Sequence, residues 1–337
     1  MPPRTHSLRY WYDSVGFEFV LPLTTQIPWL ADAQEQLAEA IEQDRLSHAL
    51  LVTASPGQGG EWLAYWLAAA FYCQSSEKRP CGECRSCQRV MADEQPDCLV
   101  LRPIEDSKEI RVDQVRELTA ELALTAHGAG RKVAIISPAE KLNRAAANAL
   151  LKTLEEPSRG AVLILVSGES KRLPPTVQSR CTRIRIAAPT QASMVDWLQR
   201  QRAGSTDWAR VLAVMGANPL AALEVDASAF VALYDETVRA LDRARTGRLD
   251  AIETAEIWGK DDYALRIACM EHWLLQQLRE SVSSGQAEWA ARLLDLQEPL
   301  REARQWIDSP INKPLALERL LWLLNAAGAS APSRGRA

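Results

Sequence analysis

Four of the chain's seven cysteines fall in one short stretch, "CQSSEKRPCGECRSC", as Cys73, Cys81, Cys84 and Cys87. Their spacing is Cys-x7-Cys-x2-Cys-x2-Cys. A two-residue gap lets a tight turn bring both thiolates to one ion, and four thiolates close a tetrahedral structural zinc site with no position left for water. Lys78, Arg79 and Arg85 partly offset the negative charge of such a site. Two other readings stand beside zinc. An iron–sulfur run also begins C-x2-C-x2-C, but it continues C-x3-C-P, and here Val90–Met91 follows instead. The thiols can also simply be buried and free. Cys98, Cys181 and Cys269 are scattered and read as packing residues, since free cysteine behaves as a small hydrophobe.

The second stretch that could do chemistry is "TASPGQGGEW" at 53–62, after the apolar run "HALLV" and before the helix-like "EWLAYWLAAAFY". Strand, glycine loop and helix are the setting of a phosphate-binding P-loop, G-x-x-x-x-G-K-[ST], in which backbone N–H groups cradle phosphates. Gly57 and Gly59 keep the loop, but alignment on Gly59 places Ala54 at the first glycine, Gly60 at the lysine and Glu61 at the magnesium-binding hydroxyl. A carboxylate there repels phosphate by about 1 kcal/mol in water and about 4 kcal/mol at an effective dielectric of 20. No ATP is therefore expected to be bound. The acidic pair that should end a nearby strand is also missing: "VAIISPAEKL" has Ser137 and Pro138. That absence excludes hydrolysis, but it fits a glycine-rich turn that was never a P-loop equally well.

Elements must position these groups. "HALLVTA", "DCLVLRP", "RKVAIIS" and "AVLILVS" read as near-continuous apolar strands, with "TRIRI" as a shorter, final one. Helical patterns lie between them. One carries Val112, Val115, Leu118 and Leu122 on one face, and another, "KLNRAAANALLKTLEEP", stops at Pro157. Apolar strands separated by helices predict an α/β domain with a parallel sheet covered on both faces. After about 188 the strand signals vanish and only helices follow, short as far as 225 and long beyond it. Pro299 is expected to kink "AEWAARLLDLQEPLREARQWI". Trp258, Trp273, Trp289, Trp306 and Trp322 line these helices as core or interface, with core expected for most. The 337 residues are 47% hydrophobic and carry a net charge of −4, which argues against a general electrostatic grip on DNA. No membrane-length apolar run or export signal is evident, so a reducing, cytoplasmic setting is expected.

Several segments together resemble one family. "IPWL", "RLSHALLV", the four-cysteine insertion, "AAANALLKTLEEP" and "LPPTVQSRC" look like the delta-prime subunits of the bacterial DNA polymerase III clamp loader, which are AAA+ proteins. The likeness spans roughly residues 27 to 225. It implies a AAA+ α/β domain (23–187) with a zinc module at about 73–98, a helical lid (188–225) and an all-helical collar (226–329). An N-terminal extension (1–22) and a disordered tail (330–337) complete the expected organisation. The resemblance further implies gamma/tau and delta subunits as ring partners, with the sliding clamp and primed DNA as partners of the whole complex. Arg180, flanked by Ser179 and Cys181 in "SRC", would be an arginine finger supplied in trans to a neighbour's ATP site. Without the family, an Arg after "VQS" reads as a surface or salt-bridge residue. Ser167 in "LVSGES" would keep a sensor position without its task, and "MGANPLAAL" lacks the arginine of a second sensor. The chain would have no ATPase or polymerase activity of its own, while belonging to a DNA-directed DNA polymerase (nucleotidyltransferase) holoenzyme. The rival readings are an active gamma/tau-type ATPase, which Gly60 and Glu61 oppose, and a stand-alone zinc-containing nucleic-acid-binding protein.

Overall fold

In the computed structural model, residues 21–104, 107, 109–128, 130–202, 204–260, 262–307 and 311–329 are described. The expected extension, 1–22, lies outside them apart from Leu21 and Pro22, and the expected tail lies wholly outside. The described residues form two compact units, 21–197 with 218–220, and 198–217 with 221–329.

The apolar runs become the five strands of the first unit: β1 (Ala49–Thr53), β2 (Cys98–Leu101), β3 (Lys132–Ile136), β4 (Ala161–Ser167) and β5 (Thr182–Arg185). All pairings are parallel, in the order β2-β3-β4-β1-β5. The most apolar runs, β3 and β4, are buried along their whole length, and β1 is buried up to its last residue. The alternating "TRIRI" run supplies β5, an exposed edge strand beside β1. A strand covered on both faces can be apolar throughout, whereas an edge strand keeps a polar side.

Helices of this unit begin with α1 (Ala31–Glu42), α2 (Gly60–Tyr72) and α3 (Arg85–Met91). They continue with α4 (Val112–Ala123), α5 (Arg144–Glu155), the single turn α6 (Pro175–Gln178) and α7 (Gln191–Gln201), within which the chain leaves the unit. In α2 every residue but Glu61 and Phe71 is buried, as expected of a helix with no polar face. It packs on β1, β3 and β4. Val115, Leu118 and Leu122 of α4, with Leu150 and Leu154 of α5, share a core with Ala134, Ile136, Leu163 and Leu165 of the sheet. The Asn143 side chain caps α5, accepting from the Ala146 N–H at 2.8 Å.

The second unit holds α8 (Trp208–Val214), most of α9 (Pro219–Glu224), α10 (Ala227–Arg245), α11 (Ala251–Lys260) and α12 (Tyr263–Ser283). It ends with α13 (Ala287–Leu294), α14 (Gln297–Gln305) and α15 (Lys313–Ala329). Pro299 does not kink a single helix. The helix breaks at Asp295–Leu296 and restarts, leaving Pro299 in the first turn of α14. A proline ring clashes with the carbonyl four residues earlier, and the first turn is where its missing N–H costs nothing. The tryptophans divide: Trp258 and Trp273 lie in the core, Trp289 packs against it, Trp306 is half-buried and Trp322 is exposed. Arg266 is buried, stacks 4.6 Å from the Trp258 ring and pairs with Glu236 at 3.1 Å. Among the described residues no helix is long and apolar enough to cross a membrane.

Candidate functional site

The four clustered cysteines meet in space. Cys73 caps the C-terminus of α2, Cys84 the N-terminus of α3, Cys87 lies inside α3, and Cys81 is in the turn between. Their sulfurs all lie within 4.8 Å of one another. A tetrahedral zinc–thiolate site with bonds of about 2.3 Å has sulfur–sulfur edges of about 3.8 Å, so the donor set fits with a small contraction. Backbone N–H groups already point at sulfur, from Ser75 and Cys81 to Cys73 Sγ at 3.4 and 3.3 Å, and from Cys84 to Cys81 Sγ at 3.4 Å. The N–H groups of Cys84 and Glu83 hold the Cys81 thiol below its usual range. Burial opposes the Cys84 thiolate, but the N–H groups of Gln74 and Cys87 outweigh it and bring that thiol to about 6. Burial pushes Cys87 the other way. Donors aimed at sulfur favour thiolate, the form that binds metal. Gly82 makes the turn possible: its φ is +79°, and an added Cβ would come 2.8 Å from Thr24 Cγ2. Cys98 and Cys269 are buried and Cys181 is half-buried, all apart from the cluster.

The glycine loop lies between β1 and α2, where a P-loop would lie, and its surroundings differ from those of a phosphate site. Glu61, in the first turn of α2, accepts from Arg102 Nη2 at 2.8 Å and from the Ser137 hydroxyl at 2.9 Å. Its carboxylate is thus engaged by the residue just past β2 and by the residue just past β3, where the acidic pair is missing. Arg102 also bonds Asp93 at 3.0 Å and the Tyr65 hydroxyl at 2.6 Å, and Tyr65 donates to Asp93. Burial opposes the Arg102 charge, but Glu61, Tyr65 and Asp93 together outweigh it and the guanidinium is held protonated above its usual range. Trp29 Nε1 donates to the Gln58 carbonyl at 2.8 Å and the Leu220 N–H to the Gly57 carbonyl at 3.3 Å. Asn218 lies directly over Gly57, whose φ is +71°; an added Cβ there would fall 1.5 Å from Asn218 Oδ1. At Gly60 an added Cβ would come 3.0 Å from Ala54 Cβ and 3.3 Å from Val166 Cγ1. Two of the three departures from the P-loop pattern are therefore matched: the Ala54 methyl occupies space that a side chain at 60 would need. Ser167 ends β4 with its hydroxyl buried and unpaired.

Arg180 follows α6 and is held within the chain. Its Nε donates to Glu155 Oε1 at 2.7 Å, Nη2 pairs with the same carboxylate, and Nη1 donates to the Thr176 carbonyl at 2.8 Å. Its side chain is 34% exposed. The neighbouring Ser179 hydroxyl donates to the Thr176 carbonyl at 3.2 Å. Glu155 comes from "KTLEEP" and Arg180 from "QSRC", so the structure joins two motifs that are 25 residues apart. Sequence reading missed Arg102, Asp93, Tyr65 and Glu155. One clue was present: Glu61 is the only charged residue of an otherwise apolar helix and requires a cation, and Arg102 is the charge that directly follows an apolar strand.

A parallel β2-β3-β4-β1-β5 sheet with a glycine loop after β1, joined to an all-helical C-terminal part, defines an AAA+-type fold, with Glu61, Arg102 and Ser137 bonded together beside that loop. A family model described as DNA polymerase III, delta subunit, matches residues 29–190. The chain is 33% identical over 316 residues to the DNA polymerase III subunit delta' of Pseudomonas aeruginosa, covering 87% of this chain and 95% of that protein. It is 40% identical over 181 residues to the subunit delta' of Escherichia coli, covering 53% of this chain and 54% of that protein. The tau/gamma subunit of Haemophilus influenzae matches over 153 residues at 32% identity, 45% of this chain and 22% of that protein. Among solved structures, a gamma-subunit-related protein from Thermotoga maritima superposes with a TM-score of 0.46 at 17% identity, covering 87% of this chain and 99% of that one. The chain belongs to the delta-prime subunit family of the DNA polymerase III clamp loader.

Proposed function

We propose that this chain is a non-hydrolysing member of a five-subunit clamp-loader ring in the bacterial cytoplasm. It stands beside gamma/tau and delta subunits in a complex that places the sliding clamp on primed DNA. The α/β domain and a helical lid (188–225) shape the ring, and the helices of 226–329 form its collar. Leu315 and Trp322, 63% and 55% exposed on α15, are suited to such a contact. Arg180 serves a neighbour's ATP site as a trans arginine finger, because a planar guanidinium stabilises charge on a transferring phosphoryl group. Cys73, Cys81, Cys84 and Cys87 hold one structural zinc, which ties the end of α2 to the start of α3 and supplies no catalytic chemistry.

The observation that carries the non-hydrolysing role is Glu61. The position that should present a hydroxyl to magnesium presents a carboxylate already bonded to Arg102 and Ser137. Calorimetry of the isolated subunit with Mg-ATP should show no binding, and a Kd of micromolar order would overturn the reading. Gly60→Lys with Glu61→Thr should restore little, because the new Cβ at 60 crowds Ala54. Adding Ala54→Gly removes that crowding and should give the first measurable affinity. Hydrolysis should stay absent in the triple variant, since Ser137 and Pro138 supply neither a magnesium ligand nor a base.

A further inference from the structure

The glycine-loop corner and the cysteine cluster lie at opposite ends of the same pair of helices. Cys73 follows α2, and its sulfur lies within 4.8 Å of those of Cys84 and Cys87 at the start of α3. At the other end, Glu61 and Tyr65 belong to the first two turns of α2, and Asp93 lies two residues past α3. Arg102 bridges them, bonding Glu61 at 2.8 Å and Asp93 at 3.0 Å, while Tyr65 donates to Asp93. Arg102 is itself fixed: its carbonyl accepts from Gln114 Nε2 of α4 at 2.9 Å. The helices therefore run antiparallel, closed by four thiols at one end and by an ionic cluster at the other.

We infer that Glu61, having left nucleotide chemistry, is the anchor of a clasp that docks the cysteine module onto the α/β domain through Arg102 and Asp93. The seven-residue α3 needs such a device, because a helix this short is not stable alone and takes its stability from tertiary contacts. It buries only Cys87 and Val90. A charge-assisted cluster with a desolvated centre is suited to the purpose: Arg102 and Glu61 are 22% and 16% exposed, Asp93 at the rim is 43% exposed, and breaking the Arg102–Glu61 pair strands a largely buried charge. The same carboxylate that repels phosphate thus fixes the far end of the module, and the two clasps reinforce each other, since each lowers the ordering cost of the helix they share.

Amide hydrogen exchange on the full-length, zinc-loaded protein tests this. Glu61→Gln and Asp93→Asn should each speed exchange at 88–92 by about 10- to 100-fold, the range for loss of a hydrogen bond to a charged group. Exchange at 115–122 in α4 should stay unchanged. Asp93→Asn is the milder variant, because residue 93 has φ +55° and asparagine tolerates that conformation. Transfer of zinc to a chelating dye should also quicken in both variants. The double variant should exceed neither single by more than a small factor, because both remove one cluster. Unchanged exchange at 88–92 in both single variants would overturn the clasp, as would acceleration spread equally over α3 and α4. If metal analysis found no zinc, the same exchange comparison on the chain as purified would still decide the clasp, so the two readings fail separately.

Discussion

Arg180→Ala is expected to leave this subunit folded and able to join the ring while the assembled loader loses ATPase and clamp-loading rate. The structure explains the first half. Arg180 is 34% and its partner Glu155 50% exposed, and ion pairs this open contribute about 0–1 kcal/mol. The thermal midpoint of the isolated subunit should therefore fall by no more than a few degrees. The second half follows from phosphoryl transfer, where a trans arginine finger contributes roughly 10³- to 10⁵-fold at the site it serves. A ring with several ATP sites dilutes that loss, because sites served by other subunits are untouched. Steady-state ATPase of the assembled complex, with clamp and primed DNA present, is the readout. Arg180→Lys should rescue poorly, since a point charge cannot reproduce a planar fork.

The contact with Glu155 supplies the control. If Arg180 only completes a surface ion pair, Glu155→Ala and Arg180→Ala should have the same small effect on stability and none on the loader. Wild-type ATPase in a ring carrying Arg180→Ala would overturn the finger role. Failure of the ring to assemble would assign Arg180 to an interface instead.

Much of this architecture was legible in the residues, for reasons that also mark where legibility ended. The runs "RKVAIIS" and "AVLILVS" announced β3 and β4, because a strand covered on both faces is apolar along most of its length, with polar residues at its ends. Cysteine spacing brought four thiols together because x2 gaps admit few turns. By contrast, α11 left little signal: its buried face is Ala251, Ala255 and Trp258, and two alanines barely register as apolar periodicity. Pro299 was visible, but the point at which the helix broke was not, because a proline penalises the residue four before it rather than itself. The Glu61–Arg102 pair was hard to read for another reason, although the lone charge in an apolar helix hinted at a partner. Its partners are 41 residues apart, joined only once β2 is set beside β3 and α2 is laid over the sheet. Local chemistry could say what Glu61 prevents, and only the fold showed what it holds.

Cys84→Ser is expected to abolish the proposed zinc binding and to melt the segment from Gln74 to about Met91, with the sheet remaining folded. The metal's share is large: structural zinc sites contribute on the order of 10 kcal/mol of apparent binding free energy. The loss should stay local, because the segment is an excursion between α2 and β2 whose exit is fixed independently. The Tyr72 hydroxyl donates to the Asp97 carbonyl at 2.6 Å, and Asp97, 1% exposed, accepts from the N–H groups of His127 and Gly128 at 2.9 and 3.0 Å. These bonds hold the start of β2 whether or not the module is ordered. Metal analysis should give one zinc per wild-type chain and less than a tenth of that in the variant. Limited tryptic proteolysis should open new cleavage after the exposed Lys78 and Arg85, Arg79 being protected by the following Pro80. Far-ultraviolet circular dichroism should fall only by the share of α3, seven residues of a long helical chain. Iron in place of zinc, or a cleavage pattern that spreads into β3 and β4, would show that the four thiols do something other than staple two helices. The charge balance gives a further check. Neutral thiols bind metal poorly, so zinc retention should weaken as pH falls and protons compete for sulfur.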